Sequence, residues 1–123
     1  MQRILVVDDN RLVADTLGLI FRKNGFDVRT AYSATDALSS AREFEPQLML
    51  CDIDMPGRDG IELMGDIGEA LPACRILVLT GFYGSLKRVH ERALTMPRPV
   101  GVLTKPCEPL DLLREAGAML KAS

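Results

Sequence analysis

The segment LMLCDIDMPGRDG, residues 48–60, places two aspartates, Asp52 and Asp54, directly after a short apolar run. Apolar residues without polar alternation are typical of a strand that is covered on both faces. The turn at 56–60 contains proline and glycine, and apolar residues at helical spacing follow it as far as Leu71, before Pro72. The segment therefore predicts a strand, an acidic turn and a helix.

The same order of elements recurs on both sides of this segment. Further strands are predicted at 4–7, 26–32, 75–80 and 100–104. The first helix has Asn10 as a plausible N-cap and Gly25 as its end, and the second opens at Ser33 and closes before Pro46. A weaker fourth helix follows at 86–94, and the last has Pro109 in its first turn and continues to Leu120. The chain thus has a (βα)5 pattern.

Alternating strands and helices predict a doubly wound α/β fold with a five-stranded parallel sheet and right-handed crossovers. We expect the strand order 2-1-3-4-5, which places ligands at the carboxyl ends of the strands. Without a linker or an internal repeat, residues 1–123 are predicted to form one domain, with no effector domain in this chain. Polar residues follow four of the five strands, and they are Asp8 and Asp9, Asp52, Thr80, and Thr104, Lys105 and Pro106.

Composition excludes several classes of function. Apolar residues make up 47% and charged residues 26% of the 123 residues, as in an ordinary globular domain. The net charge is −2 with no basic segment, so neither nucleic acid nor a membrane surface is an expected partner. The apolar runs are too short for a signal peptide or a membrane span. Cys51, Cys74 and Cys107 lack metal-site spacing and are predicted to be free thiols in the cytoplasm.

Carboxylates gathered at one edge of a sheet repel each other, so that either one pKa rises or a cation joins them. Oxygen ligands without histidine or cysteine suit Mg²⁺ or Mn²⁺. Lys105 adds a positive charge and Thr80 a hydroxyl, both suited to the oxygens of a transferring phosphoryl group. An aspartate can itself take that group. The edge is therefore predicted to be an aspartyl-phosphate site.

Four motifs sharpen this prediction. The sequences VVDDN at 6–10, CDIDMPGRDG at 51–60, LTG at 79–81 and LTKP at 103–106 resemble, in order and spacing, the motifs of response-regulator receiver domains of two-component signalling. The resemblance covers essentially the whole chain and implies the CheY-like, flavodoxin-like version of the fold.

The resemblance implies that Asp52 accepts a phosphoryl group from a phosphohistidine on a sensor histidine kinase or a histidine phosphotransfer protein. It implies Mg²⁺ ligands at Asp9, Asp52 and the main-chain carbonyl of Asp54, with Asp8 acting through water. Thr80 and Lys105 would contact phosphoryl oxygens, assisted by the backbone NH groups of Gly81 and of Ile53 or its neighbours. The Lys105-Pro106 bond would be cis.

Such a domain would change a face that binds a downstream protein partner. It would promote its own phosphotransfer and dephosphorylation without being a conventional enzyme. The side chain of Asp54 is expected at the mouth of the pocket, where we hypothesise that it tunes hydrolysis of the acyl phosphate.

The sequence also departs from the family pattern. Val102 stands where an aromatic residue usually precedes the lysine by three positions, and Cys107 stands where phenylalanine is common. The segment TMPRP, residues 95–99, has two prolines that enforce an extended path, so we expect a shortened or displaced fourth helix. These changes affect the usual output surface and leave the acidic pocket intact.

Alternative interpretations remain open at the level of sequence. Asp8 and Asp9 could cap the first helix, and the spacing of Asp52 and Asp54 resembles the pair of haloacid-dehalogenase-type phosphatases, which follows their first strand. A flavodoxin-like cofactor binder would need a phosphate loop where this chain has Asp8 and Asp9. A degenerate receiver would bind proteins without phosphorylation. A stand-alone regulator, a phosphorelay intermediate and an excised module are equally compatible with the sequence.

Overall fold

The computed structural model describes residues 1–55, 60–81 and 83–121, so the predicted turn at 56–60 lies outside the described residues except for Gly60. Strands and helices alternate along the chain. The strands are β1 (Arg3–Val7), β2 (Asp27–Ala31), β3 (Leu48–Asp52), β4 (Arg75–Thr80) and β5 (Val100–Thr104). The helices are α1 (Arg11–Lys23), α2 (Ala34–Phe44), α3 (Gly60–Ala70), α4 (Tyr83–Ala93) and α5 (Pro109–Lys121).

The five strands form one parallel sheet in the order β2-β1-β3-β4-β5, which confirms the predicted topology. The register pairs Val7 with Cys51, Asp52 with Leu79, and Thr80 with Thr104. The carboxyl ends of β1, β3, β4 and β5 are therefore level, and the residues that follow them share one edge of the sheet.

The core lies in two layers, one on each face of the sheet. Leu5 and Val7 of β1 face the layer that α2, α3 and Val89 of α4 cover, whereas Ile4 and Val6 face the layer of α1 and α5. Alternate residues of a strand point to opposite faces, and here both faces are apolar. Double coverage explains why β1, β3 and β4 have unbroken apolar sequences.

Local signals fix the ends of the first two helices. The Asn10 side chain accepts a hydrogen bond from the Val13 NH group, and the Ser33 hydroxyl accepts one from the NH group of Asp36. Gly25, just beyond α1, has a φ of 90°, a conformation that glycine adopts without strain. Each of these ends agrees with the prediction from sequence.

The fourth helix has few buried side chains among those that the structure describes. Among its described side chains only Val89 is buried. It spans 11 residues, as α2 and α3 do, and a shortening or displacement relative to the family stays a prediction. The segment after it packs against α3, where a Cβ on Gly68 would come within 2.8 Å of Met96 Cε. None of the helices in the described ranges is long and apolar enough to cross a membrane.

Candidate functional site

Three carboxylates meet at the carboxyl edge of the sheet. Asp8 and Asp9 follow β1, Asp52 ends the neighbouring β3, and one oxygen from each lies within 4.8 Å of the other two. Asp8 is 3% exposed and Asp52 is 4% exposed, whereas Asp9 is exposed to solvent. The proximity expected from the strand order is thus present, with two buried acids and one open to incoming ligands.

Asp8 is an acid in an unfavourable environment for its charge. Its Oδ1 accepts a hydrogen bond of 2.9 Å from the Asn10 NH group, but its buried Oδ2 has no hydrogen-bond partner among the residues that the structure describes. Burial raises the pKa of Asp8 above its usual value, an effect that the neighbouring Asp52 charge reinforces and the Asn10 hydrogen bond and Lys105 oppose. The pocket therefore has a buried carboxylate oxygen that accepts no hydrogen bond within the described part of the chain.

Lys105 provides a positive charge on the opposite side of the pocket. Its Nζ lies 3.2 Å from Asp52 Oδ2 and 3.9 Å from Asp8 Oδ2. The Lys105 NH group donates a hydrogen bond of 2.8 Å to the Thr80 carbonyl, and the Lys105-Pro106 bond is cis, as the family resemblance implied. The distance of 3.2 Å shows that the ammonium group is directed at the acceptor candidate, Asp52.

The backbone after β3 is also directed at Asp52. The Asp54 NH group donates a hydrogen bond of 3.1 Å to Asp52 Oδ1. The Ile53 NH group continues the sheet by donating to the Leu79 carbonyl, and assistance to a phosphoryl group from the NH group of Ile53 or its neighbours stays a prediction. Its neighbour Asp54 holds the acceptor carboxylate. The assisting role of the Gly81 NH group stays a prediction.

The side chain of Asp54 has contacts that the sequence did not predict. This exposed residue accepts a hydrogen bond of 3.3 Å from Thr80 Oγ1 on Oδ2 and one of 3.0 Å from Ser85 Oγ on Oδ1. Thr80 is 1% exposed at the end of β4, and Ser85 lies in the first turn of α4. No sequence motif marks Ser85, so only the folded chain reveals its link to the pocket.

Gly60 is a second residue whose importance emerges from the structure. Its NH group donates a hydrogen bond of 3.3 Å to the Ile53 carbonyl, which brings the start of α3 against the end of β3. A Cβ at this position would lie 2.8 Å from the Asp52 carbonyl oxygen and 2.8 Å from Ile53 Cα. Only glycine allows this approach, and the sole signal in the sequence is a glycine at the start of the predicted helix.

The donor set fits a hard divalent cation. Three carboxylates converge, one buried oxygen of Asp8 lacks a hydrogen bond within the described part of the chain, and all available ligand atoms are oxygens. Mg²⁺ and Mn²⁺ prefer such ligands, and a divalent charge would offset the repulsion between the carboxylates, which Lys105 counters in part. The ligand role of the Asp54 carbonyl stays a prediction.

Comparison with known proteins gives one consistent result. A family model described as the response regulator receiver domain matches residues 4–116. The chain is similar to a CheY-like receiver domain protein from Methanospirillum hungatei JF-1, at 28% identity and a TM-score of 0.89, over 98% of this chain and 94% of that one. It is similar to NtrX from Brucella abortus at 27% identity and a TM-score of 0.85, over 98% of this chain and 27% of that chain.

A third likeness concerns the fold alone. The chemotaxis response regulator CheY4 of Vibrio cholerae superposes with a TM-score of 0.82 at 24% identity, over 96% of this chain and 98% of that one. The NtrX match shows in addition that a domain of this shape also occurs inside a longer chain.

Proposed function

The chain belongs to the family of response regulator receiver domains, and from this premise we propose that Asp52 accepts a phosphoryl group from a phosphohistidine of a partner protein. The aspartyl phosphate then changes a face that binds a downstream protein. The observation that carries the proposal is the Lys105 ammonium group 3.2 Å from the buried carboxylate of Asp52, beside Asp8 and Asp9. A structural ion pair would not require two further acids in the same pocket.

The transfer is a displacement at phosphorus. A carboxylate oxygen of Asp52 forms the new P–O bond while the P–N bond to the donor imidazole breaks, and the leaving nitrogen keeps the electron pair of that bond. Lys105 offsets the negative charge of the phosphoryl oxygens, and the Asp54 NH group holds the Asp52 carboxylate in position. Thr80 supplies a hydroxyl that can donate to a phosphoryl oxygen. Hydrolysis of the acyl phosphate later restores Asp52.

Mg²⁺, or Mn²⁺, is the proposed cofactor. Asp9 and Asp52 would bind it through their carboxylates, the Asp54 carbonyl would be a further ligand, and Asp8 would act through water. The ion would supply positive charge that draws phosphoryl oxygens towards Asp52. The Oδ2 atom of Asp8, which accepts no hydrogen bond from the described residues, supports this assignment.

The proposed donor is a sensor histidine kinase or a histidine phosphotransfer protein. We propose that the chain works stoichiometrically, on its own aspartate, and does not turn over a separate substrate. A cytoplasmic location stays the prediction, and the three free thiols Cys51, Cys74 and Cys107 agree with it. The family match favours this function over a phosphatase or a flavodoxin-like cofactor binder.

Intact-mass spectrometry after incubation with acetyl phosphate tests the proposal. We expect one phosphoryl adduct that requires Mg²⁺, is lost in Asp52→Ala, and persists in Asp27→Ala, which removes an acid from the start of β2 at the opposite edge of the sheet. A folded protein that forms no adduct, beside a competent control receiver, would contradict the proposal and favour a module that binds proteins without phosphorylation.

A further inference from the structure

The carboxylate of Asp54 accepts hydrogen bonds from two elements that border the pocket, β4 and α4. Thr80 Oγ1, at the end of β4, donates to Asp54 Oδ2 at 3.3 Å, and Ser85 Oγ, in the first turn of α4, donates to Oδ1 at 3.0 Å. An ionised carboxylate has acceptor sites for both hydroxyls. One exposed side chain therefore connects the strand end beside the acceptor to the helix above it.

The backbone of the same residue contacts the acceptor. The Asp54 NH group donates to Asp52 Oδ1 at 3.1 Å, so Asp54 is tied to Asp52 by its main chain and to Thr80 and Ser85 by its side chain. A change at Asp52 thus reaches α4 through a single intervening residue.

Phosphorylation would put Asp54 in competition for the Thr80 hydroxyl. A threonine hydroxyl has one proton to donate, and a phosphoryl group brings three strong acceptor oxygens. The hydroxyl cannot give this proton to Asp54 and to a phosphoryl oxygen at once. The two arrangements of Thr80 are therefore mutually exclusive, as a two-state switch requires.

The helix at the far end of this connection buries little of its described surface. Of the described side chains in α4 only Val89 is buried, so few apolar contacts resist its movement. On β5 the half-buried Val102 has neither a hydroxyl nor an aromatic ring with which to report on the pocket. The hydrogen bond from Ser85 to Asp54 is one contact that joins the start of α4 to the pocket.

We propose that the Asp54 carboxylate is a latch, which holds Thr80 and the first turn of α4 in the unphosphorylated protein and is released when a phosphoryl group on Asp52 withdraws Thr80. This inference rests on the proposed function and specifies how the site is regulated. Loss of the Thr80 contact frees the Asp54 carboxylate to move towards solvent, and the first turn of α4 loses its polar anchor with it.

Hydrogen exchange measured by mass spectrometry on the full chain tests the latch. In the wild type, treatment with acetyl phosphate and Mg²⁺ should raise exchange in the first turns of α4 severalfold, in step with the adduct seen by intact mass. Ser85→Ala should show this faster exchange before any treatment with acetyl phosphate. Phosphorylation of this variant should then raise the exchange of α4 only a little further. Ser39→Ala, which removes an exposed serine from α2, should behave as the wild type.

The outcomes separate the latch from the function on which it rests. An adduct on Asp52 with unchanged exchange in α4 would overturn the latch alone, and so would Ser85→Ala with wild-type exchange. Absence of the adduct in the wild type would remove the trigger and overturn the proposed function and the latch together. Ser85→Ala should still form the adduct, because the hydroxyl of Ser85 contacts Asp54 rather than Asp52.

Discussion

The ammonium group of Lys105 lies 3.2 Å from Asp52 Oδ2, although β4 lies between β3, which Asp52 ends, and β5, which Lys105 follows. Lys105 therefore reaches across the end of β4 to neutralise a buried acid. We expect Lys105→Ala to lower the free energy of unfolding by about 1 kcal/mol without divalent cations, since it leaves the acids uncompensated but the lysine is 38% exposed and partly screened. Urea denaturation in EDTA measures this loss.

A matched substitution separates the ion pair from a general loss of charge. Lys121→Ala removes an exposed lysine at the end of α5 and should leave stability within the error of the measurement. If both variants lose the same stability, the contact between Lys105 and Asp52 has no special role.

Magnesium should stabilise the folded chain. Because the folded chain gathers three carboxylates and the unfolded chain does not, Mg²⁺ binds the folded state preferentially and should raise the melting temperature. A concentration 100 times the dissociation constant adds about 2.7 kcal/mol, and each kcal/mol corresponds to roughly 3–5 °C for a chain of this size. Asp9→Asn should reduce the shift, and Asp27→Asn should keep it. Identical melting curves with Mg²⁺ and with EDTA would contradict a metal site.

The fold could be predicted from sequence because its signals are local. Unbroken apolar runs such as 4–7 exist because both faces of the sheet are covered, and caps such as Asn10 and Ser33 mark the helix starts. The predicted strand order in turn implies that Asp8, Asp9 and Asp52 lie close together, because the carboxyl ends of parallel strands share one edge of the sheet.

The remaining contacts of the site depend on three-dimensional relationships that no local pattern encodes. Ser85 meets Asp54 from a helix 31 residues further along the chain, and the direction of the Ile53 NH group is set by its pairing with β4. The extended path predicted for 95–99 is wrong, because the chain turns after α4, where the Thr95 and Met96 NH groups donate to the Arg92 and Ala93 carbonyls. The packing of this segment on Gly68 depends on the side chain of Met96.

Asp8 should destabilise the metal-free protein at neutral pH. Because burial raises the pKa of Asp8 in the folded state above its ordinary value of 3.8, the folded chain binds this proton more tightly than the unfolded chain does. The contribution of Asp8 to the free energy of unfolding is therefore largest at acidic pH, and it falls as the pH rises from 3.8 through the raised pKa of the folded state. Asp8→Asn keeps an oxygen for the Asn10 NH group and avoids the buried charge.

We expect Asp8→Asn to be more stable than the wild type at pH 7 in EDTA, with a gain that disappears as the pH falls below 3.8. Urea midpoints across this range measure it, and Asp27→Asn controls for the change in net charge. A gain that is the same at every pH would show that the buried charge is not its source.

Asp54 should influence the lifetime of the acyl phosphate. Its NH group donates a hydrogen bond of 3.1 Å to Asp52 Oδ1, so its carboxylate stays near a group that would carry more negative charge even after Thr80 and Ser85 are released. Asp54→Asn removes that repulsion and should slow dephosphorylation severalfold while Mg²⁺ still binds. Decay of the adduct followed by intact mass after removal of acetyl phosphate gives the rate, and an unchanged rate would refute the hypothesis.

Gly60 should tolerate no side chain, because its Cα faces main-chain atoms that cannot move aside. A Cβ would lie 2.8 Å from the Asp52 carbonyl oxygen, so Gly60→Ala must displace either the start of α3 or the end of β3. We expect a loss of roughly 1–3 kcal/mol in the free energy of unfolding, and slower phosphorylation because Asp52 moves with its backbone.

Gly117→Ala is the matched control, because a Cβ there has no neighbour within 4 Å. In the interior of α5 this substitution should raise the free energy of unfolding by about 0.5–1 kcal/mol. Equal effects of the two substitutions in urea denaturation would mean that the close approach at Gly60 does not constrain the acceptor strand.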